Sequence, residues 1–193
     1  MKSVSMSGSL RENVGKKDAR LQRASGMIPC VMYGGGNQQN FLVPETSFKN
    51  LIYTPEVRYA VIDINGIEHK AIVQEIQFHP VTEKILHVDF LEVVDGKPIN
   101  IAIPLQVSGN SPGVMRGGKL SKRVRKLKVS GLLENIPENI TVDISGLDIL
   151  DSIRVEDIKI DNVRIAENPS KVVVTVMTSR NVDESAPAET AEA

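Results

Sequence analysis

Two of the three histidines in the chain fall in one short segment, Gln74-Glu75-Ile76-Gln77-Phe78-His79-Pro80-Val81-Thr82-Glu83-Lys84-Ile85-Leu86-His87-Val88-Asp89-Phe90. Its second half alternates with period 2. That predicts a strand with Leu86, Val88 and Phe90 on a core face and Ile85, His87 and Asp89 on the other. A His and an Asp two apart on a strand stand side by side and offer hydrogen-bond donors and acceptors in one direction. This is recognition chemistry more than reaction chemistry. A small metal hydrolase could be assembled from His79, His87 and Asp89, but no HExxH motif or Cys pair accompanies them, and a catalytic zinc wants three protein ligands and an open position. No GxSxG elbow precedes a helix, so a serine triad lacks its frame. Carboxylate pairs such as Glu75 and Asp89 arise by chance in a chain with this many acids. The expectation is a non-enzyme with no cofactor, no metal and no small-molecule substrate.

The elements that must position this segment read as follows. Lys2 to Leu10 alternates Ser3, Ser5, Ser7 and Ser9 with Val4, Met6, Gly8 and Leu10, a half-buried strand with one polar face. Residues Gly15 to Gly26 predict a turn and a short helix, capped by Asp18 and stopped at Gly26, with Arg20 and Arg23 sharing a face. Ile28 to Tyr33 and Asn40 to Val43 form a hairpin across Gly34-Gly35-Gly36-Asn37. The triple glycine lacks the GK[ST] ending of a phosphate loop and joins strand to strand. Glu45 to Tyr53 is a short helix ended before Pro55. Val57 to Ile64 and Ile67 to Gln74 flank Asn65-Gly66, the strongest short hairpin signal, with Ile64 facing Ile67 and Val57 facing Gln74. Evenly spaced strands without a βαβ rhythm predict a small β-barrel with two short helices over residues 1–94.

Asp95-Gly96-Lys97-Pro98 marks a boundary, and a second β-rich domain is expected over 95–180. It opens with Ile99, Ile101, Ile103, Leu105 and Val107 in alternation, a strand that Pro104 assigns to a sheet edge. Ser108 to Gly113 reads as a turn-rich loop. Arg116, Lys119, Lys122, Arg123, Arg125, Lys126 and Lys128 follow with no acid among them, either a solvated face or a contact with a polyanion or a neighbouring protein. Ile140 to Ile144, Ile153 to Val155 and Val172 to Met177 supply further strands, with at most short helical turns near Leu147 to Leu150 and Glu156 to Ile158. The acidic, apolar-poor tail over 181–193 is expected to be disordered.

Composition agrees with strands: aromatics are 4% with no Trp, and Val and Ile are abundant. The net charge of −1 hides a basic N-terminal third and a basic run after Arg116, so a polyanionic partner stays open. One cysteine, Cys30, rules out an internal disulfide and fits a reducing cytosol. Neither a signal peptide nor a membrane span is found, so a cytoplasmic protein, monomeric when free, is expected.

Gln, His, Asp and Tyr on a firm β surface suit the wide, shallow minor groove of A-form RNA, which displays 2′-hydroxyls and base edges. The basic segment Arg11 to Arg23 would reach the flanking phosphates. Gly15-Lys16, Arg20, Arg23, the Gly26-x-Ile28-Pro29-x-Val31-x-Tyr33-Gly34 stretch and the block from Gln74 through His79-Pro80-Val81-Thr82 to His87-Val88-Asp89-Phe90 resemble the bacterial 5S rRNA-binding L-twenty-five family of the large ribosomal subunit. The whole chain except the tail is similar to its long form, the general stress protein Ctc type. The resemblance implies a barrel that binds the loop E region of 5S rRNA through its minor groove in the central protuberance, beside other large-subunit components. It implies that Arg11, Lys16 and Arg20 hold phosphate and sugar, with Lys17 and Arg23 in the same basic segment. Tyr33, Gln74, His87 and Asp89 would contact the groove, and His79 and Pro80 would build a turn. Leu21 stands where the family often has a second Arg. The barrel is also similar to the anticodon-binding domain of glutaminyl-tRNA synthetase, an analogy of fold. A stress-linked RNA binder acting off the ribosome is the other reading of the same residues. Arg116, Lys119, Lys122, Arg123 and Arg125 are candidates for a second RNA or protein contact.

Overall fold

The computed structural model describes residues 1–36, 38–94 and 96–178. The expected acidic tail, Asn37 and Asp95 lie outside the described residues. Six strands close the N-terminal barrel in the order β1-β3-β2-β6-β5-β4. They are β1 (Lys2–Leu10), β2 (Met27–Tyr33), β3 (Gln39–Pro44), β4 (Arg58–Ile64), β5 (Ile67–Phe78) and β6 (Ile85–Glu92). The chain closes on itself because β1 runs parallel to β4 over Lys2 to Gly8 and then pairs antiparallel with β3 at Ser9 and Leu10. Helix α1 (Lys16–Ala24) joins β1 to β2, and a 3-10 helix over Glu45–Phe48 runs into α2 (Lys49–Ile52).

The inward residues of alternating strands meet in a closed core of Met32, Phe41, Val43, Phe48, Ile62, Val88 and Phe90, all at most 1% exposed. Phe90 stands at its centre, with ring centroids 5.9 Å from Phe41 and 6.4 Å from Phe48. The Asn65-Gly66 turn forms as expected. Both residues have positive φ (55° and 84°), as a two-residue hairpin with matching twist requires, and the Asp63 carboxylate accepts from the Gly66 N–H.

Three expectations for this half are corrected. Helix α1 is capped by Gly15 without a side-chain bond; Asp18 lies inside the first turn, where its carboxylate is taken by Arg11. The β4–β5 ladder ends at Ala60 opposite Ala71, so Val57 does not reach Gln74. In β6, Ile85 is in the core and Leu86 is not. The register shifts between Gln77 and Phe78, which pair with His87 and Ile85 respectively. A bulge of this kind inserts one residue, and everything before it changes face.

The second half holds two sheets, ordered β10-β7-β9-β12 and β11-β13-β8. The first contains β7 (Ile99–Ser108), β9 (Lys126–Gly131), β10 (Ile140–Asp143) and β12 (Arg164–Ile165); the second contains β8 (Lys119–Lys122), β11 (Ser152–Arg154) and β13 (Val172–Met177). Ile103, Leu127, Val129, Val173, Val174 and Val176 are fully buried between them. Pro104 does not make β7 an edge. Over Ile99 to Pro104 the strand pairs with β9, and from Leu105 to Ser108 it pairs with β10. The residue lacking an N–H therefore sits where one ladder hands over to the other, and no bond is forfeited. The expected loop before Gly113 gives way at Pro112 to a short helix, α3 (Pro112–Met115), capped by the Ser111 hydroxyl. Leu147 to Leu150 forms turns and not a helix, whereas a 3-10 helix does form over Val155–Asp157.

Ile72 of β5 belongs to the second core, with Tyr59, Leu91 and Val93 packed against it. Lys2 adds ion pairs to Glu56 at 3.0 Å and to Glu138 at 3.3 Å, bridging the two halves.

Candidate nucleic-acid interface

Because Val88 and Phe90 point inward at 0% exposure, His87 and Asp89 point out of the barrel. Their side chains are about a quarter exposed, and His87 Nδ1 lies 2.6 Å from Asp89 Oδ1. A carboxylate only accepts, so the Nδ1–H donates to Asp89, and the Nε2 side of the ring is left for a partner. In the β5–β6 ladder Gln77 stands opposite His87 and Glu75 opposite Asp89. On the other side of β6, Tyr33 of β2 stands opposite Leu91. Burial, and then the charges of Asp89 and Glu75, push the Tyr33 phenol up, so it keeps its proton. The Cys30 thiol, opposite Val88, is also pushed up, chiefly by burial and next by Asp89. It is packing and not chemistry.

Gln74 is the extra residue of a second bulge. Val73 pairs with Phe90 and Glu75 with Asp89, so Gln74 has no partner in the ladder and its exposed side chain is freed from the sheet. His79 belongs to the turn after β5. Its Nδ1 accepts from the Val81 and Thr82 N–H groups at 3.3 and 3.2 Å, which takes it out of any ligand set with His87 and Asp89. Among the described residues no group of three or more His, Cys, Asp or Glu could hold a metal ion.

Helix α1 packs against β2 and is pinned at both ends. Arg11 donates to Asp18 at 2.8 and 2.7 Å and to the Gly15 carbonyl, with a side chain only 10% exposed. Arg23 donates from Nε to the Leu86 carbonyl at 2.9 Å, directly at the β6 bulge. Lys16, Lys17 and Arg20 are exposed, and none of the ion pairs among the described residues uses them. The helix thus carries three free cations, while Arg11 fastens its start and Arg23 ties its end to β6 one residue before His87.

The basic run divides. Arg116 pairs with Asp148 at 2.8 Å. Lys119 and Lys122 are exposed on β8, and Arg123 follows, with its Nη2 against Met177 Sδ. Lys126 and Lys128 belong to β9 of the other sheet, and Arg125 directly precedes it. There Leu127 and Val129 are buried, so the alternating lysines face out. Sequence reasoning passed over Gln77 and gave Glu75 no role. Both were within reach of it, since pairing the two halves of the Gln74 to Phe90 segment sets Gln77 against His87.

Two family models match the chain: the ribosomal L25p family over residues 6–90 and the C-terminal domain of ribosomal protein TL5 over residues 98–180. Relatives named large ribosomal subunit protein bL25 are similar over nearly the whole chain. The one from Cytophaga hutchinsonii is 41% identical, covering 94% of this chain and 95% of its own. The one from Porphyromonas gingivalis is 40% identical, covering 93% and 95%. The one from Christiangramia forsetii is 41% identical, covering 95% and 84%. The chain belongs to the bL25 family. This family consists of structural proteins of the large ribosomal subunit, not enzymes, and the metal-hydrolase reading of His79, His87 and Asp89 is thereby set aside. The closed barrel matches the L25p segment, and the paired sheets match the TL5 segment. Among the described residues no helix is long and apolar enough to cross a membrane.

Proposed function

We propose that this bL25-family chain binds the loop E region of 5S rRNA through its minor groove, as part of the central protuberance of the cytoplasmic ribosome. The observation that carries the reading is the crowding of polar groups on one barrel face: the carboxylates of Asp89 and Glu75, which only accept, beside Gln77, Tyr33 and the Nε2 side of His87. Like charges opposite each other in a ladder weaken a sheet, and phosphate would be repelled by Glu75 and Asp89. Hydrogen-bond donors are the fitting partners, and the minor groove supplies them as 2′-hydroxyls and the guanine amino group. Lys16, Lys17 and Arg20 at the edge of that face then take the bordering phosphates. Arg11 supports them by holding the helix and does not face the RNA itself.

The test is equilibrium binding to 5S rRNA, with a loop E-disrupted 5S rRNA as competitor, across a salt series. Tight binding that the disrupted RNA fails to compete, with a steep salt slope, is the expected result. Equal, weak binding to both RNAs would refute the reading. Co-sedimentation with large subunits separates it from an RNA binder acting off the ribosome.

A further inference from the structure

Between the barrel and the C-terminal sheets runs an open cleft of about 890 Å³. One wall is Gln74, Glu75 and Ile76 of β5 with Glu56 and Arg58; the other is the outer face of the β7–β9 sheet with Arg125, Lys126 and Lys128. We propose that the RNA held on the barrel face continues into this cleft, where Arg125, Lys126 and Lys128 take its phosphates. The inference rests on the function proposed above and extends it from the barrel to the second half of the chain.

Register makes the two surfaces continuous. Glu75 of the cleft wall stands opposite Asp89 of the reading pair, and Gln74, lifted out of the ladder by its bulge, lies between them and the C-terminal sheet. A strand leaving the His87–Asp89 pair on the side away from α1 therefore enters the cleft. The far wall is built to hold its charge outward. Lys126 and Lys128 alternate with buried Leu127 and Val129, and they stand opposite Pro104 and Ala102, which have no charge to offer them. None of the ion pairs or side-chain hydrogen bonds among the described residues uses Arg125, Lys126 or Lys128, whereas Arg116 of the same run already has its acid. Arg58 also lines the cleft, but its terminal nitrogens are taken by Asn50 and Glu56. The cleft does contain acids. Glu56 is neutralised by Lys2 and Arg58, which leaves Glu75 alone against three free cations. Three unpaired cations spaced along an open trough suit the phosphates of a polynucleotide, which repeat along the chain.

The experiment uses the full chain carrying Arg125→Gln, Lys126→Gln and Lys128→Gln together, with unmodified protein and Lys16→Gln beside it. Binding to 5S rRNA is measured over a fourfold salt range, and protected nucleotides are mapped by hydroxyl radicals. These side chains are exposed, so an unchanged melting profile is the check on folding. Three lost counterions mean that raising salt fourfold should cost the unmodified protein about 40-fold more affinity than the triple variant. Protection at loop E should persist while a flanking segment becomes exposed. An unchanged slope and footprint in the triple variant, with loop E binding intact, overturns the cleft inference alone. Failure of the unmodified protein to select loop E overturns the proposed function and this inference together. Unchanged 5S rRNA binding with loss from large subunits assigns the cleft to another component of the subunit, and also overturns it.

Discussion

Replacing Asp89 by Ala gives a test in which two physical accounts predict opposite signs. If the barrel face were a generic polyanion surface, removing a carboxylate would strengthen binding to RNA, since one repulsive charge within a Debye length of about 10 Å is gone. If Asp89 accepts from the groove and fixes the His87 tautomer at 2.6 Å, binding must weaken. A polar contact desolvated in a complex is worth about 1 to 3 kcal/mol, so the loss should be about 5- to 150-fold in Kd. His87→Ala should lose a similar amount. Because each residue orients the other, the double variant should lose clearly less than the two single losses added together, with a coupling of about 1 kcal/mol or more. Neither residue releases a counterion, so all three variants should keep the salt slope of the unmodified protein. Lys16→Gln should flatten that slope by about 1. Fluorescence anisotropy with labelled 5S rRNA at several salt concentrations reads both quantities. Unchanged or tighter binding by Asp89→Ala, or additivity within about 0.5 kcal/mol, would refute the reasoning.

Phe90→Ala removes the ring that Phe41 and Phe48 pack against, from a site with 0% exposure; a loss of about 3 to 5 kcal/mol in unfolding free energy is expected, read from denaturant unfolding. Glu56 is held below its ordinary carboxyl range by hydrogen bonds from Lys2 and then Arg58. Its contribution is therefore fully present above the unfolded pKa and lost as pH falls through the folded one, so Glu56→Gln should flatten the acid limb of a stability–pH curve below about pH 4.5. The Cys30 thiol, raised by burial and by Asp89, should resist a thiol-specific reagent at pH 8 in the native protein and react on unfolding; rapid native labelling would count against the described burial.

The barrel was legible because its signals are local. Asn65-Gly66 fixes a turn, the Ser3-to-Ser9 alternation fixes a half-buried strand, and Val88 and Phe90 fix the direction in which His87 and Asp89 point. What was not legible is where the alternation fails. A bulge has no composition of its own; it arises when the register set by one stretch of ladder cannot be met by the next, so it depends on both strands at once. The chain has two in the β5–β6 pair. One reversed the assignments of Ile85 and Leu86, and the other freed Gln74. Pro104 misled for a related reason. Its rule concerns a missing donor on one side of a strand, and β7 changes partner at that residue.

Both bulges lie at the edges of the His87–Asp89 pair, and they serve its geometry. At the first, Leu86 leaves the core and its carbonyl receives Arg23 Nε at 2.9 Å, which ties the end of α1, the helix that carries Lys16, Lys17 and Arg20, to the strand of the pair. At the second, Gln74 turns toward the cleft and its basic far wall. A regular ladder would have kept both residues in register, with Leu86 in the core and Gln74 held across from β6, and neither the helix nor the second half would have had a junction with the reading face. Val88 between the bulges and Phe90 just beyond the second keep strict alternation and full burial, which gives His87 and Asp89 the rigid backing that a 2.6 Å contact requires. The departures from the simple strand pattern thus fall where the barrel must meet something else, and the regular part falls where the side chains must not move.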